Sequence, residues 1–214
     1  MSGTKQYNRT ELLDRAVDLF HRRGFNGTST ADLVTELGVN RKSMYAEFGS
    51  KQELFEAALD HYNAKHLSAV LAPVEAPDAG PDAVRQAFNG FASASEGWAR
   101  GRGCLLCNTA VERAALDPGS GRHVDAYLER LTTAFRHALH NGQRAGEINS
   151  AANVDELAAF FTMSLIGVAA CVRAEANSEQ IQAACRVATS LLDTYHTIEN
   201  DDSSGATPKK VNQP

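Results

Sequence analysis

Two stretches of the chain carry side chains whose types and spacing suit chemistry. In GVNRKSMYAEFGSK, residues 38–51, Arg41, Lys42, Ser43, Tyr45 and Lys51 lie close together. The cations can neutralise phosphates or bond guanine edges, the hydroxyls can bond phosphate oxygens, and Ala46 or the Tyr45 ring can touch a thymine methyl. In RGRGCLLCNTAVERA, residues 100–114, Cys104 and Cys107 are three apart and so share one face of a helix. A helix N-terminus and the nearby Arg100 and Arg102 favour a thiolate at Cys104. Metal binding is not expected, because a single CxxC offers half a tetrahedral site and no His or second Cys pair follows at a fixed spacing. His123, His137 and His140 read as surface residues, and no cofactor is expected.

The rest of the chain must position these groups. With 214 residues, 23.0 kDa and 43% hydrophobic side chains, it can bury one sizeable core or two small ones. A formal charge of -5 and a pI near 5.8 exclude an overall basic footprint, so nucleic-acid binding has to come from a local patch. Residues 1–55 hold eight Lys or Arg against seven Asp or Glu, and the remainder thirteen against nineteen, so the N-terminal quarter is the less acidic part. MSGTKQYNRTELLDR has no apolar core after its first charges, which argues against a secretory signal and for a cytoplasmic location. The uncharged run at 157–172 has sixteen residues, short of the roughly 20 that a membrane span needs, and contains Thr162, Ser164 and Gly167. It reads as a buried or interface helix, with no membrane partner. The four cysteines of a cytoplasmic chain read as thiols.

Apolar spacing is helical almost throughout, which predicts an all-α fold. Asn8 with Glu11 opens a helix that buries Leu12, Leu13, Ala16, Val17 and Phe20 and stops at Gly24. Ser29 with Asp32 opens a second, ending at Gly38, and Asn40 caps a third that ends near Phe48. Ser50 with Glu53 makes a capping box for a fourth, with Leu54, Phe55, Ala58, Leu59, Tyr62, Leu67, Val70 and Leu71 at helical spacing. PVEAPDAGP at 73–81 reads as a hinge or loop. Further helices are expected at about 82–97, 104–116, 121–145, 153–174 and 178–199. The expected organisation is a reading domain over 1–49, a helical domain over 50–199 and a disordered tail over 200–214.

Residues 29–48 give two short helices joined by a tight turn, the spacing of a helix-turn-helix whose second helix enters a major groove. Met44 and Phe48, four apart, point inward with Leu33, Leu37, Val39 and Phe20, leaving Arg41, Lys42, Ser43, Tyr45 and Ala46 outside. RTELLDRAVDLFHRRGFNGTSTADLVTELGVNRKSMYAEFGSKQELF resembles the DNA-binding domain of the tetracycline-repressor-like (TetR) regulators. Its first helix ends as LFHRRGF, the second is entered through GTST, the reading helix is GVNRKSMYAEF, and the fourth starts as GSKQELF. Asn40, Ser43-Met44 and Ala46-Glu47 depart from the usual pattern, and Glu47 is the odd one, since an acid near DNA repels phosphate unless it accepts from cytosine N4 or points away. The resemblance implies a double-stranded DNA operator as partner. It places Thr28, Lys42, Tyr45 and Lys51 at phosphates, Ser29, at the entry to the second helix, among the DNA-binding residues, and Arg41 and Ser43 at bases or phosphates.

The later segments fit the family's plan of a variable helical domain that dimerises and holds a ligand. Its implied effector pocket takes Phe88, Phe91, Trp98, Cys107, Val111, Phe135, Phe161 and Met163 as walls, with Asn108 and Glu112 as polar contacts. In some members a cysteine at the start of the corresponding helix senses oxidants or electrophiles, which makes Cys104 and Cys107 a possible redox sensor. The helix containing FFTMSLIGVAACV, with Gly167, Ala169 and Ala170, and the next, with Ile181, Ala184, Cys185, Ala188, Leu191, Leu192 and Tyr195, imply a homodimer through a four-helix interface. The expectation is a regulator, more specifically a repressor released by a small-molecule effector or by cysteine modification, and not an enzyme. The alternatives are a helical-bundle thiol redox protein with Cys104 attacking and Cys107 resolving, and a helical adaptor binding protein through the FFTMSLIG helix.

Overall fold

The structure, a computed structural model, describes residues 7–195. The tail expected at 200–214 and the end of the last expected helix lie outside those residues. Ten α-helices and no β-strand occur among the described residues: α1 Arg9–Arg23, α2 Thr30–Leu37, α3 Arg41–Phe48, α4 Lys51–Tyr62, α5 Ser68–Glu75, α6 Pro81–Ala94, α7 Leu105–Glu112, α8 Pro118–Ala145, α9 Val154–Arg173 and α10 Ser178–Thr194.

Local chemistry sets the N-terminal boundaries. The Asn8 side chain accepts from the Thr10 N–H, Asn40 from Ser43 and Ser50 from Glu53, while Ser29 and Asp32 complete both halves of a capping box. Each such cap is worth about 1 kcal/mol. Gly38, with φ +66 and ψ 27, takes the left-handed conformation that closes α2 and turns the chain into α3. Arg15 reinforces this corner by donating to the Leu37 carbonyl at 3.2 Å.

The small N-terminal core forms where α1, α2, α3 and α4 meet. Phe20 and Phe55 pack edge to face at 4.8 Å between centroids, and Phe25 joins them. Met44, Phe48, Leu33 and Leu37 are buried beside them, with Val39 partly so. The same core continues around Phe88, Phe135 and Phe161 from α6, α8 and α9, with the Phe88–Phe161, Phe88–Phe135 and Phe135–Phe161 centroids 5.7, 6.4 and 6.2 Å apart.

One long rod runs through this core. α4 passes through a π turn at Asn63–Leu67 directly into α5, which carries Pro73 inside its last turn. The breaker-rich hinge therefore narrows to residues 76–80, and Val70 is 43% exposed, off the buried face. Arg130 of α8 braces the turn, donating to the Asn63 side chain at 2.7 Å and to Ser68 at 3.3 Å. α9 has the length and composition of a membrane span, but 44% of it is buried and it packs on α6, α7, α8 and α10.

Candidate nucleic-acid interface

α3 divides its side chains as its sequence dictates. Met44 and Phe48 are buried, at 1% and 6% exposure, which fixes the helix's rotation about its axis. Arg41, Lys42 and Ala46 are then exposed and Ser43 half-exposed. Tyr45 lies between the two faces, its hydroxyl 3.2 Å from that of Thr30 and its ring under the Arg41 guanidinium. The hydrogen bond with Thr30, with Arg41 nearby, lowers the Tyr45 pKa. Glu47 turns away from this surface. Its side chain is 6% exposed and meets Arg9 at 3.3 Å and the Tyr7 hydroxyl at 3.5 Å, which removes the repulsion that an outward acid brings.

Three residues expected to bind DNA make contacts within the protein. Thr28 is fully buried, and its hydroxyl donates to the Gly24 carbonyl at 2.6 Å, so its side chain orders the α1–α2 loop from within. The Ser29 hydroxyl, though exposed, is taken up by the α2 cap. Lys51 points back to the same loop, donating to the Phe25 carbonyl at 2.7 Å with its ammonium 4.0 Å from the Phe25 ring centroid. Burial, helped by nearby Arg113, lowers its pKa.

That loop is also held from the C-terminal half. Glu112, at the end of α7, accepts from the N–H groups of Phe25 at 3.2 Å and Asn26 at 2.7 Å. Arg113 stacks 3.7 Å from the Phe25 centroid and donates to Gln52 of α4. Arg173, the last residue of α9, donates to the carbonyls of His21 and Arg22, satisfying the open C-terminus of α1. Arg102 pairs with Asp18 of α1 at 2.7 Å. His21 is buried, with its Nε2 3.1 Å from the Gly103 carbonyl, and burial depresses it to about 4. Sequence reasoning missed Arg113 and Arg173 and gave Glu112 a different task. A basic residue closing an apolar helix signals a C-terminal cap, but nothing local identifies another helix's carbonyls as its partners.

The ten residues expected to share an effector pocket do not converge. Phe88, Phe135 and Phe161 pack ring against ring in the core, with Phe91 packed against it. Trp98 is 60% exposed, Met163 57% and Val111 80%, so each stands on the surface. Cys107, Asn108, Val111 and Glu112 do share a crevice of about 300 Å³ with Gly24 and Arg173. Trp98 borders another of about 390 Å³, with Asp14, His21, Tyr62 and Arg102. Cys104 and Cys107 are both buried and free. Among the described residues no group of three or more His, Cys, Asp or Glu is placed to hold a metal.

Comparison with known proteins agrees with this geometry. Residues 12–58 match the model of bacterial regulatory proteins, tetR family, and residues 80–188 match the tetracyclin repressor-like C-terminal domain. The HTH-type transcriptional repressor ComR of Escherichia coli strain K12 is 31% identical over 189 residues, covering 83% of this chain and 85% of ComR. An uncharacterized HTH-type regulator of Bacillus subtilis strain 168, YezE, is 29% identical over 194 residues, covering 90% of this chain and 100% of YezE. A solved cysteine mutant of the TetR family regulator CifR, in complex with double-strand operator DNA, superposes with a TM-score of 0.75 at 26% identity, covering 87% of this chain and 97% of CifR. No strand accompanies the CLLC segment, and these relatives are regulators, so the thiol-enzyme alternative is not favoured. The chain belongs to the tetR family of bacterial regulatory proteins and is a DNA-binding transcriptional regulator.

Proposed function

We propose that the protein is a cytoplasmic, dimeric repressor whose residues 1–49 read an operator and whose residues 50–199 dimerise and sense an effector. The observation that carries the reading is α3, anchored by Met44 and Phe48 with Arg41, Lys42 and Ser43 left outward. Those three and the Tyr45 hydroxyl meet phosphates and base edges, while Thr28, Ser29 and Lys51 keep the preceding loop and helix in place. The repressor names of ComR and of DhaR from Mycobacterium sp. strain GP1 support the sign of control.

The partner of α9 and α10 is a second copy of the chain. Phe160, Met163 and Val187 are 42%, 57% and 70% exposed, and a groove of about 700 Å³ between the helices is lined almost wholly by apolar side chains. A surface of that kind needs covering. Gly167 faces this groove and allows close approach, whereas Ala170 borders the crevice beside Cys107, and Ala169, Ile181, Cys185, Ala188 and Leu192 belong to the chain's own core. A two-fold dimer presents two α3 helices to two half-sites and doubles the phosphate contacts.

Control enters through α7. A small-molecule effector in the crevice beside Cys107 and Asn108, or modification of the cysteines, shifts a helix whose far end grips Phe25 and Asn26 through Glu112. A coupling of about 1 to 3 kcal/mol is the usual scale. The test is fluorescence anisotropy with duplex from upstream of the protein's own gene and from a random pool, at several salt concentrations. Tight binding to the upstream duplex, weakened in Arg41→Ala and Lys42→Ala, is expected. Unchanged binding in both variants removes the assignment of α3, and a monomer by sedimentation at micromolar concentration removes the dimer.

A further inference from the structure

A crevice of about 390 Å³ opens between α1, the π turn after α4 and the segment that joins α6 to α7, and neither operator reading nor dimerisation uses it. Three rings run together along it. Tyr62, at the end of α4, stacks on His66 of the π turn with centroids 5.4 Å apart and 31° between the planes, and buried His21 meets Tyr62 edge to face at 5.4 Å. Trp98, the only tryptophan of the chain, borders the same space at 60% exposure, and among the described residues no other ring packs on its indole. Aromatic faces left open at a crevice suit a flat ring.

The charges lining the crevice decide what that ring should carry. Asp14 accepts from Lys65 at 2.7 Å and lies 2.7 Å from the His61 Nε2, while Asp18 accepts from Arg102 at 2.7 Å and from Arg22 at 3.0 Å. Each acid is held by two partners, so a cationic ligand finds no open acceptor. The cations keep capacity, since an ammonium has three donors and a guanidinium five, and Lys65 and Arg102 spend one each on these acids. If either turns to a ligand, Asp14 keeps His61 and Asp18 keeps Arg22. Both side chains are half-exposed, at 50% and 38%, and free to swing. Burial, with Lys65 beside it, lowers the His66 pKa, so its imidazole stays neutral at neutral pH and offers a ring face rather than a charge.

The walls are held in place without a ligand. Arg173 donates to the His21 carbonyl at 2.7 Å and to the Gly101 carbonyl at 2.8 Å, which fastens the end of α1 to the segment bearing Trp98 and Arg102. The Gly101 N–H donates to the Val172 carbonyl at 3.1 Å, and the His21 Nε2 lies 3.1 Å from the Gly103 carbonyl. Small-molecule sites are usually preformed in this way. The space takes one or two fused rings, and a nucleotide with several phosphates would outrun both its volume and its two cations.

We propose that this crevice is a second small-molecule site, separate from the crevice beside Cys107, and that it takes a flat aromatic carboxylate. The ring lies against Trp98 and the His66–Tyr62 stack, and the carboxylate accepts from Lys65 and Arg102. The consequence for DNA rests on the reading of the chain as a repressor. Seating the carboxylate draws Lys65 off Asp14 and Arg102 off Asp18, and those pairs tie α1 to the chain beyond α4. α1 packs on α2 and α4, so loosening it lets the reading helix shift and lowers operator affinity.

The experiment titrates naphthalene-2-carboxylate into the full-length protein, followed by heat and by Trp98 fluorescence, with naphthalene-2-carboxamide and cyclohexanecarboxylate as controls. One site per chain and a changed Trp98 emission are expected. The amide, which lacks the charge, and the cyclohexane acid, which lacks the flat ring, should each bind about tenfold more weakly or worse. Lys65→Met and Arg102→Met each lose one half-exposed ion pair, should stay folded, and should weaken the carboxylate by about tenfold. Asn108→Ala, in the other crevice, should leave it unchanged. No heat and no change in emission at millimolar ligand overturns the site, as does an amide that binds as tightly as the acid. A loss in Asn108→Ala with none in Lys65→Met also overturns it, by moving the ligand beside Cys107. Anisotropy on the operator duplex should show saturating carboxylate weakening the parent about fivefold or more. Operator affinity unmoved by bound carboxylate removes the control while the site stands. If the parent binds no duplex at all, the regulator reading has failed, and the titration still decides the site.

Discussion

α3 and α7 are both eight-residue helices, and they use their polar groups in opposite ways. α3 is capped by an ordinary Asn and buries two side chains, leaving its cations to solvent. α7 starts after a buried cysteine whose side chain makes no cap bond, and it spends its last residue on the backbone of the α1–α2 loop. The first is a surface awaiting a partner; the second is a strut whose partners are already in the protein. Chemistry on an outward face is readable by elimination, whereas chemistry on a strut depends on what the rest of the fold brings to it.

Four measurements can break or sharpen this contrast. The largest effect is expected from Met44→Ala, which empties a buried slot under α3 and costs about 2–5 kcal/mol in chemical denaturation. A loss below about 1 kcal/mol would mean that α3 is not fixed by that side chain. Next comes acid. Burial depresses His21 from 6.5 to about 4, so the unfolded chain takes up a proton that the folded one refuses between those values. Stability is full above about pH 6.5 and falls by up to about 3 kcal/mol as pH drops through 4. His21→Gln should flatten that slope, and an unchanged slope would assign the acid sensitivity elsewhere.

Lys42→Ala should weaken duplex binding across sequences and reduce the slope of log affinity against log salt by about 1, as expected for one lost phosphate contact. A changed sequence preference at constant slope would move Lys42 to a base. Glu112→Gln should cost only about 1 kcal/mol of stability, because Asn26 is exposed and water replaces the lost bond. It should still separate DNA affinity from events at α7. An oxidant or effector response of parental size in this variant would show that the strut transmits by another route.

Much of the fold was legible because its signals are local. The caps at Asn8, Ser29, Asn40 and Ser50 and the stop at Gly38 are short-range hydrogen bonds and one left-handed turn, and they fall where the residues place them. The inward pair Met44 and Phe48 follows from a period of 3.6. Which apolar residues border a crevice was not legible, since helical spacing gives a face without saying what lies opposite. Phe88, Phe135 and Phe161 face one another and make core, while Trp98 and Met163, equally apolar in the sequence, face outward. Thr28, Lys51 and Glu112 have long-range partners or burial that no window of neighbours contains. Glu47 was ambiguous for the same reason, and Arg9 and Tyr7 resolve it.

The π turn bears on how this chain tolerates insertion and deletion. Buried positions along the rod run Leu54, Ala58, Tyr62, then Leu67, Leu71 and Val74, so one step is five residues long and the phase slips once, by about one residue, at Asn63–Leu67. One surplus residue has been absorbed there as a wide turn, leaving the faces on either side aligned with the core. Removing Ala64 should therefore restore an unbroken α-helical period without rotating either half. The same deletion one or two turns earlier or later would swing every following side chain by about 100° off its neighbours.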